Sequence, residues 1–176
     1  MGKLLAELNE IKKTKGTYIL VSSPADYNST CASAVSYFTS KFKGLYVSLS
    51  KPSGIISSDF SKKRVNVGNL YFIDSAGKGV EKDKNCIHIS NNQSLTELSL
   101  AITSLVKEND FGFFIFDSVS TLLMYNELDS VARFMHFIIT KIRNIGTATI
   151  ILAVDEEKSN KLVSVIAQFC DKVVKV

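Results

Sequence analysis

Phe113-Phe114-Ile115-Phe116-Asp117-Ser118 holds four apolar residues without a polar break, then a carboxylate and a hydroxyl. A strand with one solvated face alternates apolar and polar residues, whereas a strand covered by helices on both faces does not. This run is of the second kind. Outward from it, Tyr18 to Val21, Leu45 to Leu49, Leu70 to Ile73 and Thr149 to Val154 read the same way. Between these runs the period changes to that of a helix. Ser94-Leu95-Thr96-Glu97 has the S-x-x-E form of a capping box, followed by Leu98, Ile102 and Leu105. Asp129 is expected to cap a helix carrying Val131, Phe134, Met135, Ile138 and Ile142, and Ser159 to open one carrying Leu162, Val165, Ile166 and Phe169. A helix near Leu4 to Ile11, another from about Asn28 to Phe42 and a last alternating strand Asp171 to Val176 complete the succession. Strand and helix in turn predict a three-layer α/β fold with a mainly parallel sheet, in one domain over residues 1–176. The Ser-rich stretch Lys51 to Gly68 and the polar stretch Ser75 to Asn85 read as rim loops or short helices.

The composition excludes several classes. Apolar residues are 45% of the 176 and charged residues 22%, with only 2 Pro and 9 Gly, which rules out disordered and collagenous chains. Asp117 interrupts the longest apolar stretch, so no run is long enough to be a membrane helix. The first ten residues carry Glu7 and Glu10 and no apolar core of a secretory signal, which predicts a cytoplasmic protein. Cys31, Cys86 and Cys170 are odd in number, lack CxxC spacing and are expected as core thiols. The net charge of +4 comes from scattered clusters such as Lys12-Lys13-Thr14-Lys15 and Lys62-Lys63-Arg64. No aromatic residues are interleaved with them, so neither nucleic acid nor a membrane is the expected partner.

Ligands of open parallel sheets bind at the carboxyl ends of the strands. Here those ends read Ser22-Ser23-Pro24, Ser50-Lys51, Asp74-Ser75, Asp117-Ser118 and Asp155-Glu156. An aspartate after a buried strand either serves a Mg²⁺ ion in a phosphate site or caps the turn that follows. Asp155, Glu156 and Glu157 read as a solvated helix start.

The order of Gly16-Thr17-Tyr18-Ile19-Leu20-Val21-Ser22, Gly44-Leu45-Tyr46-Val47-Ser48-Leu49, Leu70-Tyr71-Phe72-Ile73-Asp74, Phe113 to Ser120 and Lys141-Ile142-Arg143-Asn144-Ile145-Gly146 resembles the RecA-superfamily ATPases, most of all the archaeal KaiC-like branch. The resemblance implies a P-loop after the first strand, a catalytic Glu pair after the second, ATP held between subunits, and a Walker B aspartate matching Asp117. The P-loop form G-x-x-x-x-G-K-[ST] cradles phosphates with backbone amides and reaches them with its Lys. At that place this chain reads Ser23-Pro24-Ala25-Asp26-Tyr27-Asn28-Ser29-Thr30, without either glycine or the Lys. Pro24 removes an amide donor, Asp26 brings negative charge and Tyr27 crowds the loop. The second strand ends Leu49-Ser50-Lys51, without the Glu pair.

With the cradle, its Lys and the water-activating carboxylates all absent, the means of stabilising phosphoryl transfer are gone. The expected function is therefore that of a non-catalytic regulatory or scaffold protein on a RecA/KaiC-like core, without a cofactor, acting with a protein partner or as a homo-oligomer. Ile55, Ile56 and Phe60 are candidates for the contact, with folding back over the sheet edge as the alternative. A second reading is a nucleotide-binding ATPase with an aberrant loop: ATP would lie near Ser23, Asn28 and Ser29, and Thr30 and Asp117 would hold Mg²⁺. A third is a nucleic-acid-binding accessory. His88, in Cys86-Ile87-His88-Ile89, and His136, beside Met135, read as structural, and no metal-ligand spacing is visible in the sequence.

Overall fold

The computed structural model describes residues 2–77, 85–90 and 94–176. Strands β1 (Thr17–Ser22), β2 (Gly44–Ser48), β3 (Leu70–Asp74), β4 (Cys86–His88), β5 (Phe113–Asp117), β6 (Ala148–Val154) and β7 (Lys172–Lys175) form one sheet in the order β4-β3-β2-β5-β6-β1-β7. Every pairing in it is parallel. Helices α1 (Gly2–Thr14), α2 (Tyr27–Thr39) and α3 (Ser53–Lys62) supply one layer, and α4 (Leu95–Glu108), α5 (Val119–Leu122), α6 (Leu128–Asn144) and α7 (Glu157–Ile166) the other.

The period of two in the strands divides the interior into two cores. Tyr18 and Leu20 of β1, Tyr46 of β2, Phe113 and Ile115 of β5 and Ile150 and Leu152 of β6 face α1, α2 and α3. Their neighbours Ile19, Val21, Leu45, Val47, Phe114, Phe116 and Ile151 face α4, α6 and α7. This is why the central strands show no alternation in sequence: both faces are dry. Gly44 opens β2 because the Phe113 ring lies where its side chain would be, about 2.2 Å from an added Cβ.

Several local expectations are corrected. α6 begins at Leu128 behind an extended Glu127, so Asp129 sits inside its first turn and does not cap it. α7 begins at Glu157, and Ser159 is buried inside it, donating to Ser120 Oγ (2.7 Å). α2 stops at Thr39, short of Phe42. Within Lys51 to Gly68 lies a full helix, α3, whose residues Ile56 and Phe60, one turn apart, are buried; Phe60 packs edge-on against Tyr46 at 5.8 Å. These two residues fold back over the sheet and leave only Ile55 of the trio exposed, at 53%. Ser94 does cap α4, accepting from the Glu97 amide at 3.1 Å. Cys31 is a core thiol, whereas Cys86 and Cys170 are only partly buried. Part of the Ser75 to Asn85 stretch lies outside the described residues. No described helix is long and apolar enough to cross a membrane.

Candidate functional site

Parallel pairing brings the carboxyl ends of β1, β2, β5 and β6 to one edge, and a cavity of about 510 Å³ opens there. Pro24, Tyr27 and Asn28 from the start of α2, Tyr46 and Lys51 from β2 and the turn after it, Ile56, Phe60 and Lys63 from α3, and Asp117 from β5 line it. Ser48 of β2 pairs in register with Asp117, which fixes that carboxylate at the floor.

The segment after β1 is a closed turn. The Asp26 and Tyr27 amides both donate to the Ser23 carbonyl, at 3.1 and 3.0 Å, and Ser23 Oγ donates to Asp26 Oδ2 at 2.7 Å. The helix then starts at Tyr27 itself. Amides that would be open donors at a helix start are thus turned inward onto the chain's own carbonyl. Tyr27 projects from this first turn to Asp117, its hydroxyl donating to Oδ1, and Tyr46 donates from the opposite side to Oδ2. Cys31 Sγ lies 3.1 Å from the Tyr46 hydroxyl and extends the chain of contacts into the core.

Electrostatics follow from burial. Asp117 is 6% exposed, and loss of water pushes its carboxyl above the ordinary range, against the two phenol donors and the charge of Lys51. Burial, with Asp117 adding to it, also pushes both tyrosines well above the usual phenol value, so they remain protonated donors. The Cys31 thiol is pushed up by burial and, next, by Asp117. At the rim, Lys51 Nζ donates to Asn28 Oδ1 and Lys63 Nζ to the Asn28 carbonyl, each at 3.3 Å, while Lys62 pairs with Asp59 at 3.4 Å.

Of the residues singled out in sequence, Asp117 and Asn28 meet in this cavity. Ser23 is spent on the turn, Ser29 faces a separate groove between α1 and α2, and Thr30 is buried in α2 without lining the cavity. Asp117 does not bond Ser118 or Ser120: Ser120 Oγ accepts from the Val154 amide at 3.0 Å, and Ser118 Oγ lies 3.3 Å from Thr121 Oγ1. The peptide joining Asp117 to Ser118 is cis. Sequence reasoning missed Tyr46, whose position inside an apolar strand looks like core until its hydroxyl is placed. It also saw Tyr27 only as bulk. The basic clusters do not form one stripe, since Lys12 and Lys15 line a groove with Gly112 and Ala148 at the amino ends of the strands, opposite the Lys62 and Lys63 edge. His136 stacks on Phe169 at 4.1 Å between ring centroids.

Comparison with known proteins agrees with this architecture. A KaiC-like protein from the hyperthermophilic archaeon Pyrococcus horikoshii OT3 superposes with a TM-score of 0.64 over 91% of this chain and 70% of its own, at 13% identity. That likeness shows a shared RecA-like fold. No curated protein matches the sequence. Residues 73–176 match the profile of DUF7504, described as a family of unknown function; the match includes Asp117 but not Tyr27 or Tyr46. As that match takes in more than half of the residues, the chain is a member of the DUF7504 family, built on a RecA-like fold.

Proposed function

We propose that this protein is a non-catalytic RecA/KaiC-like regulator or scaffold that works by association with another protein or with a second copy of itself. The observation that carries this reading is the pair of phenols on Asp117: both carboxylate oxygens already accept a hydrogen bond from the chain's own Tyr27 and Tyr46. A Mg²⁺ ion would meet a carboxylate with one acceptor position on each oxygen already taken by a phenol. Thr30, which would complete such a site, does not line the cavity, and the amides that would cradle phosphate are closed onto Ser23. The residues at this edge therefore do not fit Mg·ATP, and no phosphoryl-transfer step is derived for them.

Association has its own support. Met124 and Tyr125, adjacent in the turn after α5, stand 73% and 45% exposed. They line a groove of about 400 Å³ with Leu123, Leu128, Lys158 and Lys161. Adjacent large apolar side chains in water are a common mark of a protein contact. Two measurements test the proposal together. Purified protein with Mg·ATP or Mg·GTP is expected to release no phosphate above background; turnover that Asp117→Ala abolishes would overturn the non-catalytic reading. Light scattering behind size exclusion, or capture of a partner from native cells, should detect a complex that Met124→Asp with Tyr125→Asp weakens.

A further inference from the structure

At the far edge of the sheet, β3 brings Asp74 beside two side chains of β4 that lie further along the sequence. Asp74 is the last residue of β3, and Cys86 and His88 are alternate residues of β4, which puts both on the same face. The register pairs Asp74 with His88 and Phe72 with Cys86. One donor atom from each of Asp74, Cys86 and His88 lies within 4.8 Å of the other two.

We propose that Asp74, Cys86 and His88 form a binding site for a zinc-class divalent ion, with the carboxylate, thiolate and Nδ1 imidazole as its three protein ligands. The inference is independent of the reading given to the Asp117 cavity.

His88 supplies the first argument. Its Nδ1 is shielded from solvent and makes no hydrogen bond, yet it faces Asp74 Oδ2 at 3.7 Å. That is too long for a hydrogen bond. It is close to the roughly 3.4 Å that separates nitrogen and oxygen ligands around a tetrahedral zinc with bonds of about 2.1 Å. A buried imidazole nitrogen aimed at a carboxylate across a gap of that size is placed to share an ion.

Asp74 supplies the second. It is 1% exposed, and its Oδ1 accepts from the Ala76 and Gly77 amides at 2.9 and 2.8 Å, while Oδ2 accepts from the Ser53 amide at 2.7 Å. The amides put two hydrogen bonds on Oδ1 and one on Oδ2, the oxygen that faces His88. The three amides thus fix the orientation of the carboxylate, as supporting contacts do in built metal sites.

The donor set selects the ion. Nitrogen and sulfur ligands disfavour Mg²⁺ and Ca²⁺, which take oxygen shells, and a mixed imidazole, thiolate and carboxylate set suits zinc. Three protein ligands leave a tetrahedral ion one position for water. Cys86 Sγ, 3.5 Å from Ser53 Oγ, would join as the thiolate, releasing its proton on binding. Bound metal would fasten the short strand β4 to β3.

The test uses the whole chain, stripped with chelator and titrated with Zn²⁺ by calorimetry and with Co²⁺ by absorption. One ion per chain is expected, with a thiolate-to-cobalt charge-transfer band and the intense visible bands of tetrahedral Co²⁺. Cys86→Ser should abolish the charge-transfer band. His88→Ala, at a partly exposed side chain, should weaken affinity at least about tenfold while the circular dichroism stays native. Cys170→Ser and His136→Ala should leave binding unchanged. Absence of the charge-transfer band, or zinc binding that survives both Cys86→Ser and His88→Ala, would overturn the proposal and leave His88 and Asp74 as a plain close contact.

Discussion

Asp117 and Asp74 occupy the same row of the sheet, one on each side of Ser48, and differ in almost everything else. Both are buried at the carboxyl end of a parallel strand. Asp117 meets two phenols, neutral donors from the neighbouring strand β2 and from α2, and its carboxyl is raised. Asp74 meets three backbone amides from its own following turn and from the start of α3, and its carboxyl is lowered. Burial acts on both in the same direction, so the number and kind of donors decides the sign. A carboxylate held by local backbone is kept ionised and ready for a cation. One held by side chains across a cavity is covered.

The contrast can be broken most directly by deletion. Asp74→Ala would orphan three amides at once, those of Ser53, Ala76 and Gly77. Hydrogen bonds to charged groups contribute about 1.5 to 3 kcal/mol each, and such losses are not additive, so a destabilisation of about 3 to 5 kcal/mol is expected in urea unfolding. Asp117→Ala should cost less, about 1 to 2 kcal/mol. It removes a desolvated carboxylate whose burial was itself unfavourable, Tyr27 is only partly buried, and Tyr46 retains Cys31 as a contact. An equal or larger cost for Asp117→Ala would mean that the phenol pair is the stronger clamp.

The two phenols can be separated in turn. Tyr46 is 1% exposed and Tyr27 stands at the cavity wall, so removing the hydroxyl in Tyr46→Phe leaves Asp117 Oδ2 dry and unpaired, whereas Tyr27→Phe opens Oδ1 to water. We expect about 1 to 3 kcal/mol of lost stability for Tyr46→Phe and under about 1 kcal/mol for Tyr27→Phe. Tyr27→Phe has a second use. If Mg·ATP then raises the melting temperature where it did not in the parent, the Tyr27 hydroxyl is what closes the edge to nucleotide.

The sheet was legible because two-sided burial writes itself into the sequence as unbroken apolar runs, and Phe113 to Phe116 and Thr149 to Val154 were read correctly for that reason. α3 was legible only as a loop or short helix, since Ile56 and Phe60 alone carry its buried stripe among serines. The missing P-loop glycines and Lys could be seen residue by residue. What filled their place could not, because Tyr27 and Tyr46 are 19 residues apart in number and meet only through Asp117. The Asp74, Cys86 and His88 cluster was hidden similarly: its spacing matches no metal motif, and only parallel pairing of β3 with β4 brings the three into register.

The smallest expected effect is also the one that reads the contrast most cleanly, through pH. Asp117 has a folded value raised above the ordinary 3.8, so the folded state holds its proton more tightly than the unfolded chain. Its contribution to stability is present below 3.8 and is lost as pH rises through the folded value. Asp74 has a folded value below 3.8; its contribution is present above that pH and is lost as pH falls through the folded value. The parent's stability relative to Asp117→Asn should therefore decline as pH rises above 3.8, while its stability relative to Asp74→Asn should decline as pH falls below 3.8. Both changes are expected to be smaller than the losses on deletion, and opposite in sign. Urea midpoints of the three proteins across that range decide it. Slopes of the same sign for both variants would show that phenol and amide donors hold these carboxylates alike.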